Sequence, residues 1–190
     1  MSMESESQTL PRVRSLLVLG GARSGKSAYA HRLAEMFASE RLYLATAEAR
    51  DEEMAARIVR HRADRGQGWT TLEEPLKVAE ALRAEAHPGR VVVVDCLTLW
   101  LSNVMLAGRD PGQAVAGLIR AIGGLSGPAI LISNEVGLGI VPEHRLGREF
   151  RDWQGRTNRE VAEACDAAVF IAAGLPLQLK PAPAPAVRLS

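Results

Sequence analysis

The chain has 190 residues, a formal net charge of +1 and two cysteines. The length suits one domain with a substantial core, and the near-neutral balance gives no bulk electrostatic case for a nucleic-acid or membrane-surface partner. Cys96 and Cys165 have neither metal-ligand spacing nor a disulfide framework, so both are expected to be reduced and packed. No apolar run approaches the roughly 20 residues that span a bilayer, and the opening MSMESESQTLPR has no basic end or apolar core. A soluble, cytoplasmic protein is therefore expected.

Residues 1–14 are polar and without period, and read as a loose extension. The apolar run Leu16 to Leu19 then leads into Gly20-Gly21-Ala22-Arg23-Ser24-Gly25-Lys26-Ser27, which matches the phosphate-loop pattern G-x-x-x-x-G-K-[ST]. Glycines let such a loop curl so that successive N–H groups point inward, and the next helix offers its positive N-terminal end to the same anion. Lys26 would reach the terminal phosphates and Ser27 a magnesium ion. A plain glycine turn is the alternative, but a buried strand before it and a helix-compatible run, Ala28 to Ser39, after it argue for the phosphate loop. On that helix Tyr29, Leu33, Met36 and Phe37 recur at helical spacing and are expected to pack against a sheet.

Arg41 to Ala47 is a second candidate strand, and Asp51 to Arg65 reads as a helix with an acidic first turn, ended by Gly66 and Gly68. Trp69 to Pro75 is a short extended piece, Leu76 to Ala86 a helix, and Pro88-Gly89 a break. Val91 to Val94 with Asp95 is the most apolar strand and belongs in the middle of a sheet covered on both faces. Leu97 to Leu106 reads as a helix. A glycine-rich turn from Gly108 to Gly112 follows, and a second helix ends near Gly124. Ala129 to Ser133 is a further core strand. From Glu143 to Cys165 the positions Leu146, Phe150, Trp153, Val161 and Cys165 share one helical stripe, weakened locally by Gly147 and Gly155. Ala167 to Ala172 and Leu177 to Leu179 flank Gly174-Leu175-Pro176 as a closing hairpin, and residues 181–190 form a flexible proline-rich tail. The alternation predicts an α/β fold: one phosphate-loop domain over residues 15–180, with a mostly parallel central sheet, helices on both faces, right-handed crossovers and an antiparallel C-terminal hairpin.

Three clusters carry chemistry. Asp95 directly follows a hydrophobic strand expected beside the phosphate-loop strand, the usual position of an acid that holds magnesium or its water; a helix N-cap before Leu97 is the plainer role. Around a helical wheel of 51–65, Arg57, Arg60, His61, Asp64 and Arg65 share the face opposite Met54, Ala55, Ile58 and Val59. A solvated basic face is the simple reading. Yet arginines grip phosphate oxygens bidentately, and flanking positive charge keeps an imidazole neutral, which makes His61 a nucleophile able to attack an α-phosphate. The third cluster runs from Asn134 to Pro142, at the sheet edge where α/β ligands bind. Its glycines permit close backbone approach, though the needs of a turn explain them equally well, and Glu135 could orient a hydroxyl or a hydrated metal, contact substrate or act as a base. His31, His87 and His144 read as surface or cap residues, and no histidine pair has zinc spacing.

These residues carry a resemblance. GGARSGKS, RIVRHRADR followed by WTTLEEP, VVVVDCLTLWLSN and SNEVGLGIVPEHRLGREFRDWQGRTN together resemble the bifunctional adenosylcobinamide kinase and adenosylcobinamide-phosphate guanylyltransferase family of cobalamin synthesis, from about Leu16 to Lys180. The resemblance implies a RecA-like phosphate-loop fold, often trimeric, with magnesium as cofactor and ATP and GTP as substrates. A nucleoside triphosphate first phosphorylates adenosylcobinamide, and GTP then guanylylates the adenosylcobinamide phosphate through GMP held on a histidine, releasing pyrophosphate. By position that histidine is His61, with Lys26 the second catalytic residue and Ser27 and Asp95 the metal ligands. The family's nucleotide contacts fall on Gly20, Gly21, Ala22, Arg23, Ser24, Gly25, Lys26, Ser27, Ala45, Thr46, Ala47, Arg62, Ala63, Asp64, Arg65, Glu73 and Asp95. Some members have two adjacent histidines here, whereas this chain has Arg60 before His61. A monofunctional small-molecule kinase and a nucleotide-gated binding module are the alternatives. Labelling with α-labelled GTP separates the first from the bifunctional reading, and a turnover assay separates the second.

Overall fold

The computed structural model describes residues 13–48 and 66–182. The expected helix over 51–65, with His61 and its arginines, lies outside the described residues.

Seven strands form one sheet: β1 (Ser15–Gly20), β2 (Glu40–Ala45), β3 (Trp69–Glu73), β4 (Arg90–Asp95), β5 (Ala129–Asn134), β6 (Ala167–Ala172) and β7 (Leu175–Lys180). Their order is β3-β2-β4-β5-β1-β6-β7. All neighbours are parallel except β6 and β7, which form the antiparallel C-terminal pair. The central strands SLLVLG, RVVVVD and AILISN are almost wholly buried, as a sheet covered on both faces requires.

Alternate residues serve opposite faces. Leu16, Val18, Val91, Val93, Ile130 and Ile132 point to the side covered by helix α1 (Lys26–Phe37), where Ala30 and Ala34 meet them. Leu17, Leu19, Val92, Val94 and Leu131 point to the other side. There α2 (Val78–Glu85), α3 (Leu97–Leu106), α4 (Pro111–Gly123) and α5 (Arg145–Ala164) complete the larger core. Among the described residues no helix is long and apolar enough to cross a membrane.

Three expectations need correction. Met36 and Phe37 are 75% and 74% exposed; α1 packs through small residues four apart, Ala30 and Ala34, which let it lie close to the sheet, while Tyr29 and Leu33 are only half-buried flanks. Leu146 is likewise exposed. Twenty residues of α5 extend about 30 Å, longer than a six-residue strand at about 20 Å, and the first turns overhang the sheet. Finally, Asp95's strand does not flank β1, because β5 stands between them. The two glycines of α5 do not interrupt it; at Gly147 a Cβ would meet Pro142 at 2.9 Å, so the chain before the helix folds back against that position.

Candidate functional site

Parallel strands end on a common edge, and the described members of the expected site gather there. Gly20 closes β1 with φ +154°, and a Cβ on it would meet the carbonyl oxygen of Ile171 at 2.5 Å and Ser24 Oγ at 2.7 Å. Gly25 takes φ +98° against Gly174, and Arg23 adopts a positive φ of 56°. Such conformations favour glycine and cost an ordinary residue strain, which loops of this kind accept in order to aim their amides inward. Lys26 and Ser27 open α1. The loop is anchored from outside by Gly174 at the tip of the C-terminal hairpin, whose N–H donates to the carbonyl of Ser24 at 2.9 Å.

Lys26 is buried and its Nζ donates to the carbonyl of Gly21 at 2.6 Å, across the mouth of the loop. Ser24 Oγ is buried without a hydrogen-bond partner among the described residues. A buried hydroxyl lacking a partner suits an oxygen-rich ligand, since an unsatisfied polar group is otherwise a net cost. Ser27 Oγ donates to Asp95 Oδ2 at 2.8 Å. The Asp95 carboxylate thus turns to the phosphate loop and not to the end of α3, whose N-cap is Cys96, so the capping role does not hold. One hydroxyl and one carboxylate at this spot are the hard oxygen donors that magnesium takes.

Beside them lie the ends of β2 and β3. Ala45 is in register with Asp95 on one side and Glu73 on the other. Thr46 is fully buried, its hydroxyl donating to the carbonyl of Cys96 and accepting from the Cys96 N–H, both at 2.8 Å. Ala47 is half-buried and Glu73 exposed on the same edge. Burial, with the Asp95 charge adding to it, pushes the Cys96 thiol up to about 11. Glu135 donates its N–H to the carbonyl of Gly20 at 3.0 Å, and its carboxylate accepts from the N–H of Gly137 at 2.7 Å. Its backbone therefore sits against the phosphate loop while its side chain shapes the glycine turn that follows. Arg62, Ala63, Asp64 and Arg65 lie outside the described residues together with His61.

Several residues outside the set expected from the sequence fasten this edge. Asn103 Nδ2 donates to the carbonyls of Thr46 at 2.8 Å and Pro75 at 3.3 Å, and Thr98 Oγ1 accepts from both nitrogens of Asn134. Gln154 Nε2 donates to Ser133 Oγ at 2.8 Å, which donates to Asn158 Oδ1 at 2.6 Å, while Asn158 Nδ2 reaches the carbonyl of Asn134 at 3.0 Å. A signal existed: a lone amide in the apolar run LTLWLSNVML, and amides on the sheet-facing side of α5, are costly unless partnered.

A family model described as "Cobinamide kinase / cobinamide phosphate guanyltransferase" matches residues 16–179. The chain is 49% identical over 171 residues to the bifunctional adenosylcobalamin biosynthesis protein CobP of Pseudomonas aeruginosa, covering 88% of this chain and 98% of that protein. It is 37% identical to the bifunctional adenosylcobalamin biosynthesis protein CobU of Escherichia coli, with 87% and 99% covered. Among solved structures, the flagellar accessory protein FlaH from Methanocaldococcus jannaschii superposes with a TM-score of 0.47 at 14% identity, over 83% of this chain and 70% of that one. A match along nearly the whole length of both curated relatives, spanning the phosphate loop, Asp95 and the α5 amides, decides the matter: the chain belongs to the cobinamide kinase / cobinamide phosphate guanyltransferase family.

Proposed function

We propose that this chain performs two successive transfers at one nucleotide site, phosphorylating adenosylcobinamide and then joining GMP to the phosphate so made. In the first, the aminopropanol hydroxyl oxygen of adenosylcobinamide attacks the γ-phosphorus of a nucleoside triphosphate. The bond to the β-phosphate oxygen breaks, the diphosphate leaves, and the hydroxyl proton passes to Asp95 or Glu135. In the second, a ring nitrogen of His61 attacks the α-phosphorus of GTP and pyrophosphate departs. A phosphate oxygen of adenosylcobinamide phosphate then displaces the histidine, giving adenosylcobinamide-GDP and restoring the imidazole.

The observation that carries the reading is the Ser27–Asp95 contact at 2.8 Å beneath the glycine loop, in a chain of this family. Magnesium, when bound by Ser27 and Asp95, neutralises charge on the phosphates. Lys26 adds a positive charge where the leaving phosphates gather, and the inward N–H groups of the loop hold them in place. The burial of Lys26 strengthens its attraction to an anion, because less water screens it.

Incubation of the protein with α-labelled GTP in the absence of acceptor tests the covalent half. Acid-labile label should appear on the protein and vanish in His61→Ala. Wild-type protein that binds GTP but never becomes labelled would refute the GMP–histidine route. Lys26→Ala should lose both transfers; survival of the kinase step alone would demand two nucleotide sites.

A further inference from the structure

We infer that an open, arginine-lined cavity on the flank of α5 is the subsite for the phosphate group of the acceptor, cobinamide phosphate; the identity of that acceptor rests on the function proposed above. The cavity, about 430 Å³, is lined by Gly137, Arg151, Asp152, Gly155, Arg156 and Arg159. Three arginines thus line it with a single acidic residue. Arg151 pairs with Asp152 at 2.9 Å, and Arg159 lies 3.8 Å from Glu163 on open surface. Arg156 has no carboxylate partner among the described residues and lies over the Trp153 ring, 5.3 Å from its centre. A stacked guanidinium keeps its fork of N–H donors for a ligand, and phosphate oxygens match that fork in pairs.

The placement fits a second phosphate that must approach the nucleotide. Gln154 and Asn158, hydrogen-bonded to Ser133 and Asn134, set this level of α5 beside the carboxyl end of β5. On the opposite wall Gly137 is tied to Glu135, which is tied to Gly20 of the phosphate loop. Cavity and loop therefore share one edge of the sheet and are joined by a three-residue span. Two phosphate-bearing substrates repel each other at close range; a surplus of arginine on the acceptor side offsets that repulsion.

Gly155 supplies an independent observation. Mid-helix glycine is disfavoured relative to alanine, and here no heavy atom lies within 4 Å of the place a Cβ would occupy. Packing does not require a glycine at this position. Its consequence is a bare floor under the arginines, open to a ligand.

Equilibrium binding of cobinamide phosphate and of cobinamide to the full chain, followed by corrinoid absorbance or titration calorimetry without nucleotide, tests the assignment. Combining Arg151→Gln, Arg156→Gln and Arg159→Gln on this exposed helix flank should weaken cobinamide phosphate tenfold or more and cobinamide less than twofold. Gly155→Leu, which fills the floor and leaves every charge in place, should also weaken the phosphorylated form. Unchanged affinity for cobinamide phosphate in the triple variant overturns the subsite, and an equal loss for both corrinoids overturns its assignment to the phosphate. Because no GTP is present, the result is independent of whether His61 carries GMP, which the labelling experiment reads separately.

Discussion

Asp95 and Ser27 share a proton-bearing contact at 2.8 Å, and among the described residues neither atom has a further hydrogen bond. Asp95→Asn preserves shape while removing the charge that faces the loop. Both transfers should slow at least about a hundredfold at saturating magnesium, with thermal unfolding little altered; full activity in that variant would release Asp95 from the site. The two thiols behave oppositely to a reactive group. Burial pushes Cys96 up to about 11 and Cys165 up to about 12, so both remain protonated at neutral pH. Native protein should resist iodoacetamide and take up two equivalents only when unfolded, which mass spectrometry reads directly. Glu135 shows how far residue type alone carries a reading: an acid after a core strand was visible in the sequence, but its hydrogen bond to the Gly137 N–H was not. That contact depends on the turn's backbone path.

At the level of elements, the helix α3 behaves as a bolt. Asn103, 6% exposed, donates to carbonyls at the ends of two different strand connections. Asn103→Ala removes both donations and leaves the buried Thr46 carbonyl without this partner, at a cost of about 1–3 kcal/mol, measurable by urea unfolding and accompanied by weaker nucleotide binding. Gly155→Ala should act the other way, adding about 0.5–1 kcal/mol, because its surroundings are open. Most element positions were legible from apolar period, glycine and proline. Period could not distinguish close packing from overhang, however. In α1 the large apolar residues Met36 and Phe37 suggested the buried face, yet the alanines occupy it. Strand order was equally hidden: that β5 inserts between β1 and β4 follows from long-range pairing, and no local stretch encodes it.

Over the whole molecule, distant parts of the chain are clasped together at β1. The Asp166 carboxylate accepts from the N–H groups of Arg14 and Ser15 and from Ser15 Oγ, across 151 residues of sequence in the last two cases. Partial burial works to raise its pKa, but these hydrogen bonds and the Arg14 charge prevail and hold it below the usual carboxylate range. A depressed folded value gives stability that is present above the unfolded pKa, about 3.9, and is lost as pH falls through the folded one. Stability should therefore decline below about pH 4, and Asp166→Asn should flatten part of that decline while lowering stability at neutral pH, as denaturant titrations across pH would register.

The hydrogen bond from Gly174 to the carbonyl of Ser24 also sets a timetable. The phosphate loop is synthesised well before its brace and the β6 partner of its strand. A nascent chain stalled before Ala167 would display the complete loop sequence and still fail to retain nucleotide, so a working site forms only once β6 and the hairpin after it have been made.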